Sequence, residues 1–182
     1  MRTMKTNLLY LLIFLSLNSF AQNKMLTKVG KITFEASVPA FEEVKAKNES
    51  VTFVINPSSG EITSLALIKG FRFKVALMEE HFNENYMESD SYPKAIFKGK
   101  IENFDINKIT STAKDYTIKG SLEMHGKSKD ITIKASIKKS GDGIDLNSNF
   151  TVNTDDFGIA IPSVVSKKVS KKVAVKLEAT LK

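Results

Sequence analysis

The sequence predicts an all-β protein with one short helix, and two features of the pattern indicate this. Apolar and polar residues alternate along most segments after residue 30, which puts every second side chain on the same face of a strand. Compact polar turns separate several of these segments, and short turns favour antiparallel neighbours. A one-sided sheet of this kind forms a sandwich or a barrel, and a barrel is either packed solid or holds one apolar ligand. The clearest alternating segments are Ile32-Phe34-Ala36-Val38, Val51-Phe53-Ile55, Phe71-Phe73-Val75-Leu77, Ile131-Ile133-Ala135-Ile137 and Val173-Val175-Leu177-Ala179-Leu181.

Residues 1–21 have the pattern of a signal peptide. Arg2 and Lys5 precede a short apolar run, and Ser19-Phe20-Ala21 supplies the small residues that a signal peptidase recognises. Cleavage near Ala21-Gln22 would release the product to the periplasm or the exterior, whereas an uncut N-terminal anchor helix is the alternative. We expect residues 22–182 to form a single domain.

The predicted strands are separated by turn residues, with one exception in the middle of the chain. Within 78–92, Met78, Phe82 and Tyr86 recur at a spacing of four among glutamates, which predicts a short amphipathic helix. Tyr92-Pro93 ends it, because a residue before proline favours extended geometry. The predicted strands are 30–38, 50–56, 60–69, 70–77, 94–104, 115–124, 130–139, 144–153 and 172–181.

Composition excludes several classes of function. The chain has no cysteine, so disulfides, thiolate catalysis and cysteine metal sites are ruled out. Its formal net charge of +7 is modest for a chain of 182 residues, and no aromatic and basic surface motif accompanies it. Nucleic acid is therefore not an expected partner.

The sequence offers no set of catalytic residues. No Gly-x-Ser-x-Gly elbow or Walker loop is present, and Asp156-Phe157-Gly158 lacks the companion motifs of a kinase. His81 and Glu84 are spaced to share a helix face, but a catalytic zinc normally needs three protein ligands, so solvent-exposed helix polarity is the preferred interpretation. His125, in a predicted turn, is interpreted as structural or exposed. We expect neither enzymatic activity nor a cofactor or metal.

A set of motifs in register resembles the YceI-like lipid-binding family. The resemblance runs from about residue 30 to the C-terminus. It implies an exported, extended antiparallel β-barrel of about eight strands, similar in shape to a lipocalin, with a cavity that in some members holds a polyisoprenoid or related lipid tail. The motifs are Phe71 to Leu77, His81, Tyr92-Pro93-x-Ala95-x-Phe97-x-Gly99, Gly120-x-Leu122-x-x-x-Gly126-x-x-Lys129-x-Ile131, and Asp156-Phe157-Gly158-Ile159.

Phenylalanine is the main aromatic residue, with twelve copies and no tryptophan. Large rings without polar atoms suit an apolar lining, although a core packed by its own side chains gives the same pattern, and the protein would then act through its surface in binding or stress response. The candidate ligand is lipid-like, of polyisoprenoid or fatty-acyl or amide type. The candidate cavity residues are Phe34, Phe53, Phe71, Phe73, Phe97 and Phe150, and the candidate residues of its mouth are Met78, His81, Phe82, Tyr86 and Tyr92.

Two segments have open roles. The 78–92 helix could cover a barrel mouth as a movable lid or close it as a fixed plug. Lys167, Lys168, Lys171 and Lys172 form the densest charge cluster. It is either a solvated loop that discourages strand pairing, or a site that attracts a prenyl phosphate or makes transient contact with an anionic membrane surface.

Overall fold

The computed structural model describes residues 24–182, and the predicted signal peptide with its cleavage site lies outside the described residues. The strands form one sheet. A short helix, α1 (Ala76–His81), continues into a π-helical turn (Phe82–Tyr86). The strands are β1 (Met25–Ser37), β2 (Lys45–Ile55), β3 (Glu61–Leu67), β4 (Arg72–Phe73), β5 (Lys94–Ile101), β6 (Lys114–Met124), β7 (Lys127–Ser140), β8 (Gly143–Asn153) and β9 (Val169–Leu181). Short 3₁₀ turns cover Ile68–Gly70, Ile106–Lys108 and Thr154–Phe157.

The sheet closes on itself through β1. This strand pairs with β9 on one side and with β2 on the other, so that Phe34 faces Val175 across one ladder and Ala46 across the next. The remaining neighbours are β9–β8–β7–β6–β5–β3–β2, all antiparallel, while the two-residue β4 attaches to β2. The result is a closed antiparallel barrel of eight strands with one short helix, which confirms the predicted fold class.

Tight turns set the register of the hairpins. Met124 pairs with Lys127, so the β6–β7 connection has only two residues, His125 and Gly126. Their φ angles are 52° and 70°, as a type I′ turn requires, and this turn matches the twist of the two strands. The sequence prediction of a turn here is correct.

The predicted strand 70–77 is wrong. Only Arg72–Phe73 is extended and paired, and α1 begins at Ala76. Phe71 is buried, but Val75 and Leu77 are 40% and 56% exposed. The apolar and polar alternation of the sequence therefore continues past Phe73, but the apolar side chains beyond it are not buried in the barrel. The Glu79 carboxylate accepts hydrogen bonds from the Phe73 N–H (3.1 Å) and from Arg72 Nη1 (2.8 Å), which fixes the turn from strand into helix.

Other boundaries differ less. The helical segment ends at Tyr86 rather than residue 92, β5 ends at Ile101 rather than residue 104, and β2 begins five residues before the predicted residue 50, at Lys45. These differences concern segments at the two ends of the barrel, where the backbone conformation is determined by loops rather than by pairing between strands.

The two ends of the barrel are filled differently. At one end, here called the packed end, the side chains of Ile55, Ile101, Ile137, Ile144 and Leu181 are no more than 1% exposed. The loop 102–113 contributes Phe104, Ile106 and Ile109 to the same core. The other end, here called the open end, carries α1 and the loops 38–44 and 158–168.

Candidate functional site

The open half of the barrel encloses a cavity of about 390 Å³. Its walls are the inward faces of β1, β3, β5, β6, β8 and β9, together with α1, the π-helical turn and the loop 158–168. The inward register of β8 supplies Phe150 and Val152, the 3₁₀ turn that follows supplies Thr154, and β9 supplies Val173 and Val175. This volume lies near the lower limit of the ~300–1,000 Å³ that small-molecule sites occupy.

Four phenylalanine rings join the helical segment to the barrel wall. Phe82 lies 5.2–5.9 Å, between ring centroids, from Phe34, Phe71 and Phe73. Phe34 is also within 5.3 Å of Phe71 and 5.7 Å of Phe73. These separations are those of favourable aromatic pairs, so the four rings form one cluster at the side of the cavity.

A smaller cavity of about 70 Å³ extends the space toward the packed end. Both cavities are lined by five of the same residues, so they follow one another along the barrel. Phe53 and Phe97 line the smaller one and also belong to the buried core. The shared residues are Ile32, Ala66, Ala95, Leu122 and Phe150.

Two glycines on facing strands make room for the Phe97 ring. Gly99 pairs with Gly120 across the β5–β6 ladder. A Cβ atom at either position would lie 2.6–2.7 Å from Phe97 Cζ, so the ring occupies the space that those side chains would fill. Because Gly99 follows Phe97 in the direction of Ile101, the ring leans toward the packed end and leaves the space above it free.

Comparison with known proteins agrees with this geometry. A model of the YceI-like domain matches residues 16–181. The chain belongs to the YceI-like domain family. No curated protein matches the chain.

Solved structures share the fold at low sequence identity. A polyisoprenoid binding domain from Saccharophagus degradans, described as implicated in plant cell wall breakdown, has a TM-score of 0.76 and 12% identity and covers 87% of this chain and 97% of its own. Burkholderia cenocepacia BcnA has a TM-score of 0.68 and 14% identity over 84% of this chain and 96% of its own. The Campylobacter jejuni YCEI protein has a TM-score of 0.59 and 20% identity over 80% of this chain and 89% of its own.

Most sequence-predicted site residues of this YceI-like barrel surround the larger cavity. Phe34, Phe71, Phe73 and Phe150 are in its wall. Met78, His81, Phe82 and Tyr86 line it from the helical segment, which has no buried residue of its own. Phe53 and Phe97 lie deeper, around the smaller cavity.

Tyr92 lines neither cavity. Its ring packs against the His125 ring at 4.7 Å between centroids. His125 Nδ1 donates to the Phe157 carbonyl oxygen at 3.1 Å, and Nε2 lies 3.8 Å from a Glu88 carboxylate oxygen. His125 therefore joins the β6–β7 turn to the segments that follow α1 and β8, which agrees with its interpretation as structural.

The polar part of the cavity lining was missed in the sequence, apart from His81 and Tyr86. Thr154 is 9% exposed, and its hydroxyl oxygen has no hydrogen-bond partner. Glu42, Lys168 and Ser170 complete the polar lining on other segments. Thr154 could have been found in the sequence, since it continues the alternation of Phe150 and Val152. The loop residues Ile159, Ile161 and Val165, which also line the cavity, follow no periodic pattern.

Across residues 24–182 there is no group of three or more histidine, aspartate or glutamate side chains arranged to hold a metal ion. His81 and Glu84 are both exposed. In the same range, no helix is both long enough and apolar enough to cross a membrane.

Proposed function

We propose that this chain is an exported, non-enzymatic binding protein that holds the hydrocarbon chain of a lipid-like molecule inside its barrel. The observation that carries the proposal is the apolar cavity of about 390 Å³ at the open end, which continues into a second space above Phe97. The name of the Saccharophagus degradans relative, a polyisoprenoid binding domain, supports the same class of ligand. Export rests on the signal-peptide pattern of residues 1–21.

The ligand in this proposal has one flexible hydrocarbon chain and one polar end. The hydrocarbon chain lies along Ile32, Leu122 and Phe150 toward Phe97, because these side chains offer no hydrogen bonds. The polar end lies nearer to Thr154, whose buried hydroxyl lacks a partner. Polyprenyl and fatty-acyl or amide compounds share this chemistry, and the experiment below distinguishes them.

The energetics of transfer favour a protein that carries lipid and releases it over one that retains it permanently. A hydrocarbon chain gains about 0.8 kcal/mol for each methylene moved from water into the cavity. A lipid that leaves a bilayer comes from surroundings already as apolar as the cavity, so most of that gain is absent. The net affinity relative to the membrane is therefore small, which permits both loading and release.

The test is displacement of a fluorescent fatty-acyl probe by two series of competitors, polyprenyl alcohols and fatty amides of increasing length. We expect saturable probe binding and displacement by at least one series. Competitor affinity should rise with chain length and then level off when the chain reaches Phe97. Absence of saturable probe binding by folded protein would refute the proposal.

A pair of matched variants locates the binding site. Ala66 is 3% exposed and lines both cavities, so Ala66→Phe should fill the space between them. Excluding even two methylenes costs about 1.6 kcal/mol, or more than about tenfold in Kd. The control is Ala135→Phe, because Ala135 is 1% exposed at a position that lines neither cavity. This control should lose about 1–3 kcal/mol of stability through overpacking and, while folded, bind the probe normally.

A further inference from the structure

We propose that residues 160–172, which span the end of the loop 158–168 and the first residues of β9, form with the neighbouring Phe41 a docking surface for an anionic lipid bilayer at the open end of the barrel. This surface does not require an occupied cavity, so it can be tested on protein without ligand. It would place the cavity mouth against the membrane.

The first observation is an exposed apolar residue on each of two neighbouring loops. Val164 is 84% exposed, the highest value among the large hydrophobic residues described, and Phe41 is 46% exposed. Each is directly followed in the chain by a residue of the cavity lining, Val165 and Glu42. The two loops are adjacent, because Ser37 at the end of β1 pairs with Val169 at the start of β9.

The second observation is an excess of unpaired positive charge beside Val164. Residues 160–172 contain four lysines and no acidic residue. Lys171 pairs with Asp155 at 3.0 Å, whereas Lys167, Lys168 and Lys172 have no ion pair within the described part of the chain. On the strands, lysines such as Lys47 and Lys119 each lie 2.6 Å from a glutamate. Other lysines of the described residues, such as Lys98, Lys100 and Lys139, also lack an ion pair, but Lys167 and Lys168 are adjacent, follow the exposed Val164 closely and lie in a stretch without an acidic residue.

Together these features match an anionic bilayer better than another surface. Lysines are attracted to the phosphates of anionic lipids, and exposed apolar side chains insert at the boundary between head groups and acyl chains. The exposed glutamates 80, 84 and 88 lie on and just after the helical segment and would be repelled, as would Glu42 next to Phe41, whereas Glu43 is paired with Lys74. We therefore infer a tilted contact in which residues 160–172 approach the membrane and the helical segment faces water.

The absence of tryptophan from the chain provides a direct probe. We would purify the exported protein carrying Val164→Trp and remove bound lipid. The protein would then be mixed with vesicles of phosphatidylcholine alone or of phosphatidylcholine with phosphatidylglycerol. The expected result is a blue shift of the tryptophan emission and co-sedimentation with the phosphatidylglycerol vesicles at about 0.1 M ionic strength, both lost at about 1 M, where the screening length falls to about 3 Å. The control is Val29→Trp, at a valine that is 73% exposed on β1, which should show no shift.

Charge reversal tests the basic component separately. Lys167→Glu combined with Lys172→Glu should weaken vesicle binding by more than about tenfold, since each lysine near an anionic surface contributes up to about fivefold. The matched control is Lys100→Glu with Lys139→Glu, two exposed lysines away from the mouth, which should bind nearly as well as the parent.

Three outcomes would overturn the proposal. The first is that the folded protein does not bind phosphatidylglycerol vesicles. The second is that the two charge-reversed proteins lose vesicle binding equally. The third is a concentration-dependent blue shift of Val164→Trp without vesicles, which would make the loop a contact between copies of this chain. If competitors still displace the fatty-acyl probe from the same protein, the proposal of a ligand in the cavity stands even when membrane docking is refuted.

Discussion

The packed end and the open end of this barrel are built from the same strands and the same alternation, but they differ in how the interior is filled. At the packed end, isoleucines and leucines from neighbouring strands are almost fully buried beneath the loop 102–113. At the open end, half-buried phenylalanines surround a cavity, and the covering helical segment contains no buried residue. The packed end is therefore filled by side chains of the protein, whereas the open end contains the cavity in which we propose that a ligand binds.

The largest expected difference between the two ends comes from a buried charge. Ile137 is 1% exposed at the packed end, and Ile137→Glu should unfold the domain, because an unpaired buried charge costs more than about 3 kcal/mol. Phe73 is half-buried at the cavity, so Phe73→Glu should leave the fold intact, with its carboxylate reaching water, and abolish binding of an apolar probe. Thermal unfolding and probe titration of both proteins make the comparison. Probe binding retained by Phe73→Glu would argue against a ligand in this cavity.

A smaller difference is expected at Thr154. Its hydroxyl has no hydrogen-bond partner among the described protein atoms, so Thr154→Val should not lower the free energy of unfolding. The same change should weaken binding of a polar-headed ligand about two- to tenfold, the value of one hydrogen bond, and leave a plain hydrocarbon unaffected. Chemical denaturation and paired titrations measure both effects.

Thr27 offers the matched control. It is 8% exposed, and its hydroxyl accepts a hydrogen bond from the Val29 N–H. Thr27→Val should therefore lose stability without altering ligand preference. If Thr154→Val also loses stability, the hydroxyl has a partner in the protein and is not reserved for a ligand.

The smallest expected difference is in local stability. The helical segment 76–86 is held mainly by the phenylalanine cluster and by the Glu79 hydrogen bonds, so it should open more readily than the sheet. We expect its amides to exchange faster than those of β5 and to gain protection when ligand is added, as a lid requires. Exchange as slow as that of β5, unchanged by ligand, would identify the segment as a plug.

The alternation in the sequence predicted the inward-facing residues of the strands correctly but failed where the helix begins at the open end. Alternation correctly placed Phe34, Phe73 and Phe150 on the inward face, because sheet pairing carries that pattern directly into space. The same rule failed at Val75 and Leu77, where a helix begins and no interior remains to bury them.

The cavity itself could not be derived from periodicity. Its depth depends on the Phe97 ring lying over Gly99 and Gly120, and the contact with Gly120 follows from the register between β5 and β6. Part of its wall comes from Ile159, Ile161 and Val165 in a loop without a repeating pattern. Only the family resemblance indicated a cavity, because a solid core and a lined space have the same alternation.

Native mass spectrometry of the protein purified from its own cell envelope is the most direct test of whether the barrel holds a ligand. We expect a population heavier than the polypeptide by the mass of one lipid-like molecule, which organic extraction removes and which Ala66→Phe fails to retain. A spectrum that shows only the bare polypeptide after gentle extraction, together with no uptake of added polyprenyl or fatty-acyl compounds, would contradict the proposal. The barrel would then be a protein filled by its own side chains that acts through its surface.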